Sequence, residues 1–289
     1  MVRALSALIL ALGLVLAGCG PAARPTASPP APTQAATPQP PPTHTPQPIS
    51  ATTAPIGTSL PSPTEGGPGP IVEAIVIAEP KVAAGVISPV HIEGEADPTF
   101  EQSLSIHILD AEGNVVGQGA AQIEADTGQR GRYRADVPFR VDSEQPGRII
   151  VYSVSARDGN ITHLNSVEVR LKPSGEATPG IADSGSPLEA IVIHSAAPGA
   201  SLTPTVTITG EAAPTFEQHL NAMIQDEMGN VIATGSTLIR ADAGQRGPFS
   251  FTLTYRITAA GPGRIVVYDT SPRDGGIVHL ASVEVRLTP

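Results

Sequence analysis

Residues 132–141 read Arg-Tyr-Arg-Ala-Asp-Val-Pro-Phe-Arg-Val, so Tyr133, Ala135, Val137, Phe139 and Val141 recur at every second position. That period places them on one face of an extended chain and the polar residues on the other, the pattern of a half-buried strand. The pattern returns 116 residues later as Phe249, Phe251, Leu253, Tyr255 and Ile257. Working outward, Val90, Ile92 and Gly94 alternate with polar or small residues, and so do Leu104, Ile106 and Ile108. Residues 110–114 and 226–230 each combine Asp, Gly and Asn, the chemistry of a hairpin turn. Strands are expected near 72–78, 86–94, 103–110, 114–123, 132–140, 148–155 and 161–171, with no amphipathic helix among them. Short strands separated by turns every ten or so residues predict an all-β, immunoglobulin-like sandwich. With one Cys and no Trp, the Cys–Trp–Cys signature of antibody domains is missing.

The return at 116 residues is general. Phe100-Glu101-Gln102 recurs as Phe216-Glu217-Gln218, Gly128 to Gly131 as Gly244 to Gly247, and Arg157-Asp158-Gly159 as Arg273-Asp274-Gly275. Residues 71–173 align with 187–289 without a gap, which defines two tandem domains. Between them, 174–186 is Gly/Ser/Ala/Pro text and reads as a flexible linker that few contacts should cross. Each repeat is therefore expected to fold on its own.

The first 70 residues read differently. Arg3 precedes an apolar run from Ala4 to Ala17, too short for a stable membrane span and suited to a signal peptide over 1–18. The run ends Leu16-Ala17-Gly18-Cys19, which resembles the lipobox of bacterial lipoproteins. That resemblance implies cleavage before Cys19 and acylation of its thiol, a firm membrane anchor when several chains are attached. Residues 19–70 are rich in Pro, Thr, Ala, Ser and Gln and are nearly uncharged, a composition that cannot bury enough apolar surface to offset its ordering entropy. They are expected to form a disordered, extended stalk.

Composition excludes several functions. Against 17 basic residues stand 27 acidic ones, a formal charge of −10, opposite to what phosphate neutralisation requires of a nucleic-acid binder. A single Cys permits neither an internal disulfide nor a thiolate zinc cluster. Gly-x-Ser-x-Gly, His-Glu-x-x-His and P-loop motifs are missing from the sequence, so no enzyme activity, catalytic residue or cofactor is assigned.

Gly94-Glu-Ala…Phe100-Glu101, Asp110-x-x-Gly113-Asn114, Pro146-Gly147…Tyr152…Ser155-Ala-Arg157-Asp158-Gly159 and Val167-x-Val-x-Leu171 together resemble the bacterial spore-germination immunoglobulin-like domain, in both copies. The resemblance implies a non-catalytic extracytoplasmic module, often attached to lipoproteins or wall-associated proteins.

Two sets of residues stand out as candidates. His163 and His279 are the repeated histidines, each five residues after Asp158 or Asp274. An Asp–His pair could serve a base or a metal, but the strand period sets His163 with Ile161, Val167 and Val169 at the edge of the core. Without a repeated Asp-x-Asp run, no metal site is assigned. In an up-and-down strand count the loops at 97–102, 125–131 and 156–160 share one end of the sandwich. They offer a binding rim of Glu101, Asp126, Arg130 and Arg157, matched by Glu217, Asp242, Arg246 and Arg273. Phe100 is assigned to the core, and the Arg-Asp-Gly turns to a positive-φ glycine with an Asx bond. The sequence thus predicts a lipid-anchored, extracytoplasmic module that acts in adhesion or envelope assembly through protein partners. A cell-wall glycan module is the alternative, weakened by the scarcity of aromatic residues, 4 Tyr and 5 Phe.

Overall fold

The computed structural model describes residues 71–181 and 188–289. The expected signal segment, Cys19 and the Pro/Thr-rich stretch lie outside the described residues. In the first repeat the chain runs β1 (Ile75–Glu79), β2 (Gly85–Val86), β3 (Val90–Ala96), β4 (Ser103–Leu109), β5 (Val115–Gln122), β6 (Gly131–Val137), β7 (Gln145–Val154) and β8 (Ile161–Leu171). The second repeat copies it as β9 (Ile191–Ile193), β10 (Ser201–Leu202), β11 (Thr205–Ala212), β12 (His219–Gln225), β13 (Val231–Leu238), β14 (Gly247–Thr254), β15 (Gly261–Thr270) and β16 (Ile277–Leu287). Among the described residues no helix is long and apolar enough to cross a membrane.

Each repeat is a two-sheet sandwich of the immunoglobulin type. One sheet has the order β1-β3-β6, or β9-β11-β14, and the facing sheet β5-β4-β7-β8, or β13-β12-β15-β16. The alternation seen in the sequence decides which side chains meet between them. Ile92, Leu104, Ile106, Ile108, Tyr133, Val137, Ile149 and Val151 are buried in the first core, and Ile208, Leu220, Ile224, Phe249, Phe251, Leu253 and Tyr255 in the second. The Tyr133 hydroxyl donates to the Val76 carbonyl (2.9 Å), which ties β6 to β1 and satisfies a polar group that burial would otherwise penalise. Gly94 and Gly210 are required where they stand, because a Cβ on either would collide with the carbonyl oxygen of Val76 or Val192 on the neighbouring strand.

Three expectations change. The strand expected at 86–94 is two pieces on different sheets: β2 runs parallel to β8, whereas β3 pairs with β1 and β6. The chain switches sheets through Ile87-Ser88-Pro89, where Pro89 has no N–H to continue a ladder. Residues 174–181, expected as free linker, lie against the first repeat instead. Thr178 exchanges backbone bonds with Gly85 (3.0 and 2.8 Å), satisfying the exposed edge of β2.

The third change is the largest. β8 pairs antiparallel with β16 through Leu164–Leu280 and His163–Ala281, so one ten-stranded sheet runs through both repeats. The outer faces explain this. Ile149-Ile150-Val151 and Ile265-Val266-Val267 are apolar on both sides, and a strand of that kind needs cover on both. The outward residues Leu109, Ile150, Leu164, Val266 and Leu280 form a third apolar cluster shared by the two repeats. The expectation of two domains with few contacts between them is therefore corrected.

Candidate functional site

The loop ends are built on left-handed turns. In Phe100–Gln102 and Phe216–Gln218, single turns of 3-10 helix, Glu101 and Glu217 have φ of 55° and 53°. Such backbone is uncommon for residues with a Cβ, and it turns the side chains of consecutive positions away from the alternation of a strand. Phe100 and Phe216 consequently point outward, 59% and 58% exposed, contrary to their assignment to the core. It is Gln102 and Gln218 that turn inward. The Gln102 side-chain amide donates to the carbonyls of Asp126 (3.3 Å) and Gln129 (3.1 Å), and Gln218 makes the same bonds to Asp242 (3.1 Å) and Gln245 (2.9 Å). Each clamp fixes the loop after β5 or β13 to the loop before β4 or β12.

Of the expected rim, Glu101, Asp126, Glu217 and Asp242 are exposed at these clamped ends. Arg130 stands beside them, donating to Asp97 (2.6 Å) and to the Glu73 carbonyl (3.0 Å); Arg246 lies 3.9 Å from Glu211. Arg157 and Arg273 are drawn elsewhere. Arg157 donates to Glu284 of the other repeat (2.6 Å), and Arg273 to Glu168 (2.7 Å). The three-loop rim therefore reduces to two loops, with the exposed Phe as the member that strand alternation concealed.

The surface that takes Arg157 and Arg273 is a polar seam between the repeats. Arg148 and Arg264 extend from the outer faces of β7 and β15 and are 0% exposed. Arg264 donates to Glu284 (2.8 Å), Gln225 (3.2 Å) and Asp158 (3.2 Å). Arg148 donates to Asp274 and to the Gly276 carbonyl (3.3 Å). The cross-repeat ion pairs recur with the roles exchanged, Arg148–Asp274 as Arg264–Asp158 and Arg157–Glu284 as Arg273–Glu168, as in an isologous dimer interface joined into one chain. The Arg-Asp-Gly turns serve this seam. Gly159 and Gly275 have φ of 71° and 70°, and Asp158 and Asp274 accept the N–H of Asn160 (3.0 Å) and Gly276 (2.9 Å). The turn and Asx assignments hold, but each Asp faces an Arg of the opposite repeat, not the His five residues on.

Burial alone would raise the Asp158 and Asp274 carboxyls, yet the turn amides and the guanidinium groups outweigh it and hold both below the usual range, Asp274 at about 2. Folded values below the unfolded ones mean that this stabilisation is complete above the unfolded pKa of about 4 and is lost as pH falls through the folded one. Denaturation at pH 6 and pH 3 should show stability falling, and Asp274→Asn should flatten that fall while lowering stability at pH 6. The groups facing Asp274 are Arg148 and Arg273; those facing Asp158 are Arg157 and Arg264.

At the centre of the seam, beside Leu164 and Leu280, the two repeated histidines meet. Their rings lie edge to face with centroids 5.6 Å apart. Glu73 and Glu189, just before β1 and β9, reach in between them. His163 Nε2 lies 2.9 Å from Glu73 and 3.6 Å from Glu189, and His279 Nε2 lies 3.4 and 3.3 Å from the same two. Burial alone would lower the His279 imidazole, but the Glu189 bond and the charges of Glu73, Glu189 and Asp269 raise it above its ordinary value. Glu189, which burial alone would raise, is held low by His279, His163 and the Ala74 N–H. No ligand set is readable here from spacing, because Glu73 stands 90 residues from His163 and the second pair, Glu189 and His279, comes from the other repeat.

Two immunoglobulin-like sandwiches joined through their edge strands define the class: a tandem, all-β immunoglobulin-like protein. The model of the immunoglobulin-like domain of bacterial spore germination matches residues 74–160 and 190–276, more than half of the chain, and the chain belongs to that family. No curated protein matches the sequence. Among solved structures, the chain is similar to latent PorU from Porphyromonas gingivalis at 14% identity and TM-score 0.21, covering 75% of this chain and 24% of that one. It is similar also to titin domains Z1Z2 in complex with telethonin, at 13% identity and TM-score 0.17, covering 75% and 96%. For red sea bream transglutaminase the values are 9% identity and TM-score 0.27, covering 74% and 31%. The chain thus spans about a quarter of the PorU chain and a third of the transglutaminase.

Proposed function

We propose that this chain is a lipid-anchored, extracytoplasmic, non-catalytic module whose clamped loop ends engage protein partners in adhesion or envelope assembly. The observation that carries this reading is the exposed Phe at each end, held on a left-handed turn and flanked by Glu101, Asp126 and Arg130 or by Glu217, Asp242 and Arg246. A large aromatic that is already ordered loses little conformational freedom on binding, which is why such residues dominate interface energetics. The Arg, Asp and Glu residues around it supply the polar rim. The non-catalytic part rests on the sequence, where Gly-x-Ser-x-Gly, His-Glu-x-x-His and P-loop motifs are missing, and on the pairing of the buried seam arginines with Asp158 and Asp274. The anchor and the location rest on the Leu16-Ala17-Gly18-Cys19 sequence.

Two experiments test this. Crosslinking in intact cells should trap a partner protein with the native chain, and Phe100→Ala with Phe216→Ala should reduce the yield at least several-fold without changing the melting temperature. Unchanged crosslinks in that variant would remove the loop ends from the account. Separately, Cys19→Ser should abolish incorporation of radiolabelled fatty acid into the protein; a variant labelled like the wild type would refute the anchor.

A glycan-binding reading gains from the same Phe residues, since an exposed ring is a platform for a sugar face. Sedimentation with purified wall polysaccharide separates the two readings. Co-sedimentation lost in the Phe double variant would favour glycan, and none would leave the protein partner.

A further inference from the structure

We propose that Glu73, His163, Glu189 and His279 bind one divalent transition-metal ion of the Zn2+ type at the centre of the seam, tying the two repeats together. Four potential ligand atoms, one from each residue, lie within 4.8 Å of one another. The four nearest imidazole-to-carboxylate distances are 2.9, 3.6, 3.4 and 3.3 Å. A tetrahedral ion with ligands at about 2.0–2.1 Å has ligand–ligand edges of about 3.3–3.4 Å, a spacing that His279 keeps to Glu189 Oε1 and Glu73 Oε2 and that His163 approaches to Glu189 Oε1, while Glu73 Oε1 stands nearer to His163.

The surroundings favour an ion over hydrogen bonds alone. One oxygen of each carboxylate is already held by a backbone N–H of the opposite repeat: Glu189 Oε2 accepts from Ala74 (3.0 Å) and Glu73 Oε2 from Ala190 (3.1 Å). Glu189 is thereby oriented with Oε1 toward both histidines, and Glu73 with Oε1 toward His163 and Oε2 toward His279, the support that outer-shell bonds give metal ligands. Charge points the same way. The four seam arginines are matched by Asp158, Asp274, Glu168 and Glu284. Glu73 and Glu189 then remain, with Asp269 opposite His279 in the β15–β16 ladder. Asp269 Oδ1 is buried with no hydrogen-bond partner among the described residues. The two carboxylates of Glu73 and Glu189 match the charge of one dication held with neutral imidazoles.

The donor set selects the ion. Two imidazoles with two carboxylates suit Zn2+ and its neighbours, whereas Ca2+ and Mg2+ want more oxygen ligands. Four protein ligands describe a closed, structural site. It draws two ligands from each repeat, so the ion would bind only the joined pair.

The test is calorimetric titration of the full chain with Zn2+ after chelator treatment. One ion per chain should bind with micromolar or tighter affinity, and the melting temperature should rise with Zn2+ concentration. Co2+ in its place should give the intense visible absorption of a tetrahedral site. His163→Ala with His279→Ala should weaken binding by at least about a hundredfold, more than the loss of outer-shell support alone. If that variant does not fold, Glu73→Gln with Glu189→Gln, which keeps side-chain size, is measured instead and should show the same loss. His91, paired on the surface with Asp136 and Glu93, is the control, and His91→Ala should bind as the wild type does. No binding at millimolar Zn2+, binding that survives in the folded ligand variants, or binding lost in His91→Ala would each overturn the proposal.

Discussion

Replacing Arg264 with alanine is expected to destabilise the protein by about 3–5 kcal/mol, the usual cost of breaking a buried ion pair from one side. The side chain is fully buried and bonded to Asp158, Gln225 and Glu284. Only Glu284 is well exposed, at 47%; the Asp158 side chain is 1% exposed and would keep only Arg157, at 3.1 Å, of its two guanidinium partners. Water cannot easily reach it, because the Arg-Asp-Gly turn that carries Asp158 is seated on the second repeat. The urea midpoint should fall while the slope stays constant, which marks a change in stability alone. Arg264→Met with Asp158→Asn should recover much of the loss, since it removes both charges and keeps apolar volume. A cost under about 1 kcal/mol for Arg264→Ala would mean a solvated, surface-type pair and an open seam.

The second large effect belongs to Leu164→Ala, expected to cost about 2–5 kcal/mol as a large-to-small change in a packed interior. Leu164 is 1% exposed, and Leu280, its partner across the β8–β16 pairing, is 2% exposed. Neither belongs to the core of its own sandwich; both lie in the cluster with Leu109, Ile150 and Val266. Two sandwiches on a free linker would leave Leu164 on a wet outer face, where the same change would cost within about 0.5 kcal/mol. Leu164→Ala combined with Leu280→Ala should cost less than the sum of the two, because the side chains share one cavity. Equilibrium denaturation of the three variants checks both statements.

What the sequence discloses depends on the range over which the physics acts. Strand alternation is local, so Ile92, Ile106 and Tyr133 are assigned to the core correctly. Turn chemistry is local too, and Asp110 accepts the amides of Glu112 (3.0 Å) and Asn114 (2.8 Å) as its spacing implies. Phe100 is misplaced because non-glycine residues seldom take positive φ, and composition gives no notice of it. The repeated Gln102 and Gln218, polar at the head of apolar strands, were the available signal. Arg157, Arg273 and the two histidines need a partner 90 to 127 residues away, which spacing cannot supply. A sign of the seam was nevertheless legible in the two-sided apolar runs 149–151 and 265–267.

Differential scanning calorimetry of the full chain tests most directly whether the two repeats are one folding unit. The shared sheet, the exchanged ion pairs and the common apolar cluster predict one transition, with calorimetric and van't Hoff enthalpies in agreement. Arg264→Ala should move that transition down as a whole. Two separable transitions, with only one of them moved by Arg264→Ala, would contradict the account and return the repeats to independence.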